Sequence, residues 1–415
     1  MNRLAIVLLI LLVTLFYALA TGSAMYYRIL YIVGFALISS YFWGRSNIRG
    51  IRVEAQRRTS RVQAGDTVET QITVWNDGLL PTIGLQVREL TDMPGEGIGK
   101  IVSLGWSSSR SWRNHIPAKK RGFYTIGPLE VNSSDPFGLF HYHQTFPDTH
   151  EVVVYPTTVE LPYLNLSAAG LPEDGPRLRP SGNPTPHAFG VRQYLPSDSF
   201  SRIHWPTTIR TGTLMVKQFD QGVANDLWLL VDLDHDVQEG IGYDTTDEHS
   251  ITVAASVAQR YLNFRVPVGL VAHGQKPIRI SPDQNSAQMG RLMEALTGAQ
   301  ALGELPLTNL LIQVGRLFEK TGTLMIITPS PNTSWVNALT PLLQRGTRVV
   351  VVIIDPASFG GSADISEVVG QLVTLSIPTY LVRRDETLAT ALALPTSSPV
   401  PAPSNQTPLR TGGDA

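Results

Sequence analysis

The sequence predicts an α/β unit built on a doubly wound parallel sheet, preceded by a small β-sandwich and an N-terminal hairpin of two transmembrane helices. Three observations carry this. Two long apolar runs open the chain, a stretch of period-two alternation follows, and from residue 227 onward apolar strands alternate with segments of helix length.

The first run, residues 4–20, has no charge and is long enough to cross a hydrocarbon core of about 30 Å as a helix. The second, residues 27–44, follows the turn Thr21-Gly22-Ser23-Ala24. Ala18-Leu19-Ala20 resembles a signal-peptide cleavage site, but a hairpin of two spans accounts for both runs together. Arg45, Arg49, Arg52, Arg57, Arg58 and Arg61 follow the second run, with only Glu54 against them. By the positive-inside rule both termini and the soluble domains then lie on the cytoplasmic side of the cell membrane. Tyr26, Tyr27, Tyr41, Phe42 and Trp43 sit at the two ends of the second run, where interfacial anchors belong.

Beyond the membrane the period becomes two. In residues 66–75, Val68, Thr70, Ile72 and Val74 alternate with Glu69, Gln71 and Thr73, the pattern of a half-buried strand, and Asn76-Asp77-Gly78 supplies a turn. Leu85 and Val87 begin another alternation, and residues 112–116, 123–126 and 152–155 give further short strands. With no amphipathic helix among them, they predict a β-sandwich. A connector rich in Pro and Gly, residues 161–186, is expected to lie over the surface.

From residue 227 the order is strand 227–232, helix 248–264, strand 266–273, helix 284–296, helix 305–319 and strand 323–328. Helix 335–344, strand 348–355, helix 365–375 and strand 379–382 complete it. Only a sheet covered on both faces buries a run such as Val349-Val350-Val351-Val352-Ile353-Ile354. The expected domains are therefore residues 1–46 (two spans), 47–160 (sandwich), 161–226 (connector and junction motif), 227–394 (α/β) and 395–415, a tail with no apolar face and expected to be disordered.

Composition removes several function classes. The 33 Lys plus Arg against 34 Asp plus Glu leave a formal charge of −1, so no general attraction to nucleic acid follows. The absence of cysteine removes disulfides, thiolate zinc sites and cysteine nucleophiles. No Gly-x-x-x-x-Gly-Lys phosphate loop and no Gly-x-Ser-x-Gly elbow occur, and Asp198, Ser199 and His204 are too close in sequence for triad geometry. His141 and His143 share a strand face but lack further zinc ligands. The chain is expected not to be an enzyme.

Two stretches remain as candidate sites. Ligands in open α/β sheets bind beyond the carboxyl ends of the strands. There stands Asp232-Leu233-Asp234-His235-Asp236, whose three carboxylates would face one volume if the segment stays extended. Oxygen ligands of that kind suit Mg²⁺ or Ca²⁺, with Thr308 as a possible hydroxyl; a solvated acidic loop is the alternative. The second stretch, residues 187–219, places Arg192, Arg202, Arg210 and Lys217 with Asp198 and the aromatics Tyr194, Trp205 and Phe219. Two readings are open: an ion-paired clasp between domains centred on Asp198 with Arg202 or Arg210 and Trp205 beside it, or a surface for a protein partner.

The chain resembles the bacterial membrane-anchored family filed as domain of unknown function fifty-eight, whose C-terminal half is similar to a von Willebrand factor type A domain. One carrying motif is Arg121-Gly122-Phe123-Tyr124-Thr125-Ile126-Gly127-Pro128, followed by Asp135-Pro136-Phe137-Gly138-Leu139-Phe140. Phe137 and Phe140 read there as core anchors beside a turn. The other motif runs from Arg192-x-Tyr194 through Pro196, Asp198, Arg202-Ile203 and Trp205 to Arg210 and Leu214-x-Val216-Lys217. The chain departs from the family pattern with Ser197 for Gly, His204 for Asp, and Pro206 interrupting the run into Arg210. Metal-binding type A domains carry Asp-x-Ser-x-Ser; this chain keeps the first position as Asp232, has Asp234 and Asp236 for the serines, and lacks a clear last Asp. The resemblance implies a membrane-tethered interaction or scaffold protein that works with a MoxR-type AAA ATPase in envelope or complex assembly. The alternative is a Mg²⁺- or Ca²⁺-dependent adhesion or sensing domain at the Asp232 cluster.

Overall fold

Residues 3–78, 80–95, 97, 99–166, 171, 188–194, 203–219, 226–315 and 322–396 are described by a computed structural model. The chain divides into two units, Met1–Thr157 and Thr158–Ala415.

The first unit begins with helices α1 (Arg3–Thr21) and α2 (Ala24–Arg49), both long and apolar enough to cross a membrane. They meet at Gly22, with Tyr17 stacked on Tyr26 at 5.8 Å. Strands β1 (Ile51–Arg57), β2 (Arg61–Gln63), β3 (Thr67–Asn76), β4 (Thr82–Thr91) and β5 (Gly99–Leu104) follow. Then come β6 (Ser108–Pro117), β7 (Gly122–Ser134), β8 (His141–Phe146) and β9 (His150–Tyr155). One sheet has the order β1-β3-β6, the other β2-β9-β7-β4-β5 with β8 paired to β7. The inward positions of both sheets share one core, Ile51, Ile72 and Val74 against Leu85, Val87, Leu129 and Val131, which makes a sandwich as the alternation requires.

The arginines after α2 also have a place in the fold. Residues 51–57 form strand β1, paired antiparallel to β3. Arg57 is buried between Glu89, 3.1 Å from its Nε, and Asp148, 2.7 Å from Nη1. Burial pushes the Glu89 carboxyl above its usual range while Arg57 pulls it back. Arg57 thus has an ion-paired place inside the sandwich.

The second unit opens with β10 (Ala188–Gln193), α3 (Trp205–Thr211) and β11 (Met215–Phe219), the two strands forming an antiparallel ribbon. Then follow β12 (Leu227–Val231), β13 (Gly240–Ile241), β14 (Asp244–Thr245), α4 (Thr246–Asn263), β15 (Val268–His273), β16 (Pro277–Asp283) and α5 (Gln288–Gly298). Next are α6 (Leu307–Val314), β17 (Thr323–Thr328), α7 (Ser334–Asn337), α8 (Thr340–Gln344), β18 (Arg348–Ile354), α9 (Ser366–Thr374), β19 (Thr379–Val382) and α10 (Leu388–Ala391). The central sheet has the order β16-β15-β12-β17-β18-β19. All its neighbours are parallel except β16, which runs antiparallel to β15.

The sheet is covered on both faces. Trp228, Leu230, Leu324, Ile326, Val349 and Val351 meet side chains of α6, α7, α8 and α9. The alternate residues of those strands point the other way, toward α4 and α5. Helix α4 buries Ile251, Ala254, Ala255 and Ala258 and carries Asp247 and Glu248 in its first turn, where the helix dipole favours acids.

Three expectations change here. The sheet is mixed, because β16 adds an antiparallel edge. Residues 335–344 form two short helices with Pro341 at the start of the second, since proline fits a first turn and not a helix interior. The connector does not simply lie over the surface: Leu161, Leu164, Leu166 and Leu171 are buried. Val159 N–H donates to Ser256 Oγ of α4 (2.9 Å), and Tyr380 Oη of β19 donates to Asn165 O (3.0 Å). The rest of the connector, residues 316–321, which include the end of the expected helix 305–319, and residues 397–415 lie outside the described residues.

Candidate functional site

Asp232 follows β12, the strand in the middle of the central sheet, so topology places it at the carboxyl edge between β15 and β17. It is 1% exposed. Thr328 Oγ1, from the end of β17, donates to its Oδ2 at 2.6 Å, and Asp234 N–H donates to its Oδ1 at 3.2 Å. Burial lifts its pKa to about 6; the two hydrogen bonds pull it down and the neighbouring Asp234 adds to the rise. The Thr328 hydroxyl in turn accepts Ser330 N–H at 2.9 Å.

The chain does not stay extended beyond Asp232. Asp234 caps a 3-10 turn, His235–Val237, by accepting the N–H of Asp236. That turn breaks the alternation that was expected to align the three carboxylates. Asp234 is buried, whereas the Asp236 side chain is 91% exposed. Thr308, the expected hydroxyl, sits on α6 and pairs with Ser334 Oγ at 2.9 Å; the hydroxyl that reaches Asp232 is Thr328. Among the described residues no three Asp, Glu, His or Cys side chains converge as ligands. With Asp236 turned out to solvent, the three-carboxylate set expected to hold Mg²⁺ or Ca²⁺ is not assembled among the described residues.

The loop after Asp232 is instead built as a platform. Gln238 Nε2 donates to the carbonyls of Asp232 (3.0 Å) and Asp234 (3.2 Å), and Gln238 Oε1 accepts from Thr246 Oγ1 at the start of α4 (2.7 Å). Between Gln238 and Thr246 the hairpin β13–β14 turns through Gly242 and Tyr243. Gly240 has φ +116°, and a Cβ there would stand 2.5 Å from Asp244 O, so only glycine fits this close approach. Asp244 fixes the far side of the hairpin, held by Arg384 at 2.5 Å and His249 at 2.9 Å. Burial raises the Asp244 carboxyl, but these two bonds outweigh it and hold it below the usual range. The tip carries Ile241, 91% exposed, and Tyr243, 48% exposed. The sequence reading missed them, although Gly240-x-Gly242 beside an aromatic is a turn signal.

The junction stretch is a ribbon with a helix inserted. Tyr194 N–H donates to Leu214 O (2.8 Å), closing β10 on β11 next to the pairs Arg192↔Val216 and Val191↔Lys217. Pro206 does not interrupt the run. It occupies the first turn of α3, which Gly212 ends in a left-handed conformation. Trp205, expected to be packed beside an ion pair, is 59% exposed, and Arg210 is exposed as well. Asp198 and Arg202, the expected heart of the clasp, lie outside the described residues.

The β-domain motif forms a second constellation, within the first unit. Arg121 is buried and Gly122 lies against the Tyr124 ring, whose hydroxyl donates to Arg121 O (3.3 Å). Asp135, 3% exposed, accepts the Ser40 hydroxyl of α2 together with the N–H groups of Phe137 (3.0 Å) and Phe140 (2.6 Å). Burial pushes this carboxyl up, but those donors and the Leu139 N–H overcome it and set it below its usual range. Pro136 and Gly138, the latter with φ +65°, shape the turn between these donors. Phe140 packs edge-on against Tyr41 at 5.6 Å. Phe137 is not a core anchor: it is 61% exposed and lies with Leu139 against α1 and α2. His141 and His143 are exposed on β8, with His143 bonded to Asn132 and Thr145.

Residues 190–360 match the family described as Protein of unknown function DUF58. Over 254 residues the chain is 23% identical to a Bacillus subtilis (strain 168) protein, Uncharacterized protein YeaD, a match covering 58% of this chain and 60% of that one. The chain thus spans about 60% of the length of this curated relative. Among solved structures, the CARDB domain of the PF1109 protein in complex with di-metal ions, from Pyrococcus furiosus, aligns at 20% identity over 25% of this chain and 86% of that chain, with a TM-score of 0.19. The C-terminal domain of wzt aligns at 10% identity over 26% of this chain and 75% of that chain, with a TM-score of 0.22.

Proposed function

We propose that this chain is a membrane-tethered, cytoplasm-facing interaction protein that acts by binding and not by catalysis, with the carboxyl edge of its second unit as the docking surface. The observation that carries this is the pinned β13–β14 hairpin presenting Ile241 and Tyr243 beside an Asp232 loop in which both Asp232 carboxylate oxygens and its carbonyl hold hydrogen bonds. A site poised for chemistry keeps free donors and acceptors for a substrate, and this edge instead offers apolar surface on a rigid mount.

The second unit is read as von Willebrand factor type A-like. Supporting that reading are the strand order outward from β12, the antiparallel edge strand β16 and the placement of Asp232 after the first central strand. The partner is read as a MoxR-type AAA ATPase, on the resemblance of the junction and β-domain motifs, with a role in envelope or complex assembly. The cytoplasmic orientation rests on Arg45 and Arg49 at the end of α2, supported by Arg52, Arg58 and Arg61 beyond it.

The test is a photo-crosslinking side chain placed at position 241 of the full-length chain in native membranes. A crosslink to an AAA ATPase that disappears with Tyr243→Ala is the expected result. Crosslinking only to lipid, or none from position 241 while a control position on α9 does crosslink, would contradict the docking surface.

A further inference from the structure

The end of the sandwich from which α2 emerges carries apolar side chains that its own core does not use. Strand pairing defines this end: β1 starts there at Ile51, opposite the last residue of β3, Asn76, which faces the first residue of β6, Ser108. β4 begins there at Thr82, opposite the last residue of β5, Leu104. β7 also ends there, leading into the loop from Asp135 to Phe140. Gly50, just past α2, touches the turn at Gly78 so closely that a Cβ would stand 2.6 Å from Gly78 N. Asn76 Nδ2 ties this turn to the next one by donating to Leu80 O (2.8 Å) and Gly105 O (2.9 Å). On these turns Leu80 is 41% exposed and Trp106 76%, and at the start of β4 Ile83 is 56% exposed.

The loop reaches further along α2. Asp135 holds Ser40, Tyr142 Oη donates to Tyr41 O at 3.2 Å, and Gly44 lies against the Tyr142 ring, where a Cβ would come within 2.5 Å. Asn47 Nδ2 reaches Ser133 Oγ at 3.4 Å. These contacts fix the loop beside the helix, and its tip then lines an apolar recess: Phe137 and Leu139 with Val33, Ala36 and Leu37 of α2 and Ile6 of α1. Leu37 precedes Gly44 by seven residues, about 10 Å along a helix that rises 1.5 Å per residue. The tip thus passes the Tyr41-Phe42-Trp43 aromatic level and enters the apolar stretch of the span.

The geometry points to a lipid-contact face on the β-domain, in which Phe137 and Leu139 enter the acyl region of the bilayer that α1 and α2 cross, and Trp106, Leu80 and Ile83 sit in its headgroup layer. The occupant is the phospholipid of that same membrane. Its surface is continuous with the exposed flanks of the two helices, where Phe35 is 73% and Phe42 64% exposed. An indole at the headgroup level and phenyl groups below it follow the ordinary depth order of aromatic side chains at a membrane. The Ser40–Asp135 bond is then the joint that sets the angle of the sandwich to the membrane. This inference rests on reading α1 and α2 as spans.

The chain has no cysteine, so single nitroxide labels can be placed without a background. The full-length protein is reconstituted in phosphatidylcholine–phosphatidylglycerol vesicles and labelled singly at Phe137→Cys, Trp106→Cys, Phe35→Cys on α2 and Lys119→Cys at the opposite end of the sandwich. The readout is the accessibility of each label to oxygen, which partitions into lipid, against a water-soluble nickel chelate. The expected result is a severalfold higher oxygen-to-nickel ratio at positions 35 and 137 than at 119, with 106 between them. A lipid-like ratio at 35 with water-like ratios at 137 and 106 would overturn the lipid-contact face and leave the spans standing. A water-like ratio at 35 would overturn the spans, and the face with them. Trp106→Cys lies on an exposed turn and reports independently should Phe137→Cys disturb the loop.

Discussion

Asp135 in the first unit and Asp232 in the second are both almost fully buried, yet burial leaves one below the usual carboxylate range and the other above it. The difference lies in the donors around them. Asp135 receives the Ser40 hydroxyl and a run of loop N–H groups, enough to replace the water it has lost. Asp232 receives one hydroxyl and one N–H and has Asp234 beside it. The first is a charge that organises its surroundings, and the second is a carboxyl whose charge the fold does not need.

The largest effect that would break this comparison is expected at Asp135. Asp135→Ala removes the acceptor from several buried donors at once, a loss of about 3 kcal/mol or more at pH 7. Hydrogen exchange on the detergent-solubilised full chain should show it as opening of the loop from 135 to 140 and of the end of α2. Asp232→Asn, by contrast, keeps a neutral group of the same shape against Thr328, and its cost at pH 7 should stay within about 1 kcal/mol. An equal loss in both variants would erase the distinction.

Their pH dependences should run in opposite directions. The Asp232 carboxyl binds its proton more tightly in the folded chain than at the ordinary value of 3.8, so the stability that protonation contributes is complete below 3.8 and fades as pH rises to about 6. Each tenfold gain in proton affinity on folding corresponds to about 1.4 kcal/mol. Asp135 contributes in the other sense: its stabilisation is present above the ordinary value and is lost as pH falls through its lowered folded pKa. Exchange protection of β12 and β17 followed from pH 7 down to pH 4 should therefore rise, and Asp232→Asn should flatten that rise.

Smaller effects separate the two threonines. Thr328→Val leaves Asp232 Oδ2 without its donor and should cost about 1–2 kcal/mol, whereas Thr308→Ala on α6 should fall within about 0.5 kcal/mol. Millimolar Mg²⁺ or Ca²⁺ should leave the thermal midpoint of the wild type unchanged. A shift abolished by Asp236→Asn would restore the metal reading.

How far the sequence could be read follows the same physics. Period-two alternation located β3, and the unbroken run Val349 to Ile354 located β18, because burial on one face or two writes directly into composition. Strand β16 was hidden by Pro277 and Pro282, residues that only an edge strand tolerates, although Ile278 and Ile280 alternate with Arg279. Strand β1 was hidden by its arginines, since the partners of Arg57, the buried Glu89 and the exposed Asp148, are remote in sequence. At the site, the position of Asp232 was legible from topology alone. The fate of Asp234 and Asp236 was not, because it turned on a 3-10 turn that Asp234 itself caps. Phe137 looked like a core residue because composition does not distinguish a side chain packed in a core from one lying exposed against an apolar helix pair.

Binding of the purified full-length chain, in nanodiscs, to a MoxR-type AAA ATPase tests the central claim most directly, with Ile241→Asp compared to Asp232→Asn. The account predicts that Ile241→Asp weakens binding at least about tenfold, the scale of losing an apolar anchor at an interface, while Asp232→Asn binds as the wild type does. Binding lost with Asp232→Asn and retained with Ile241→Asp would contradict it.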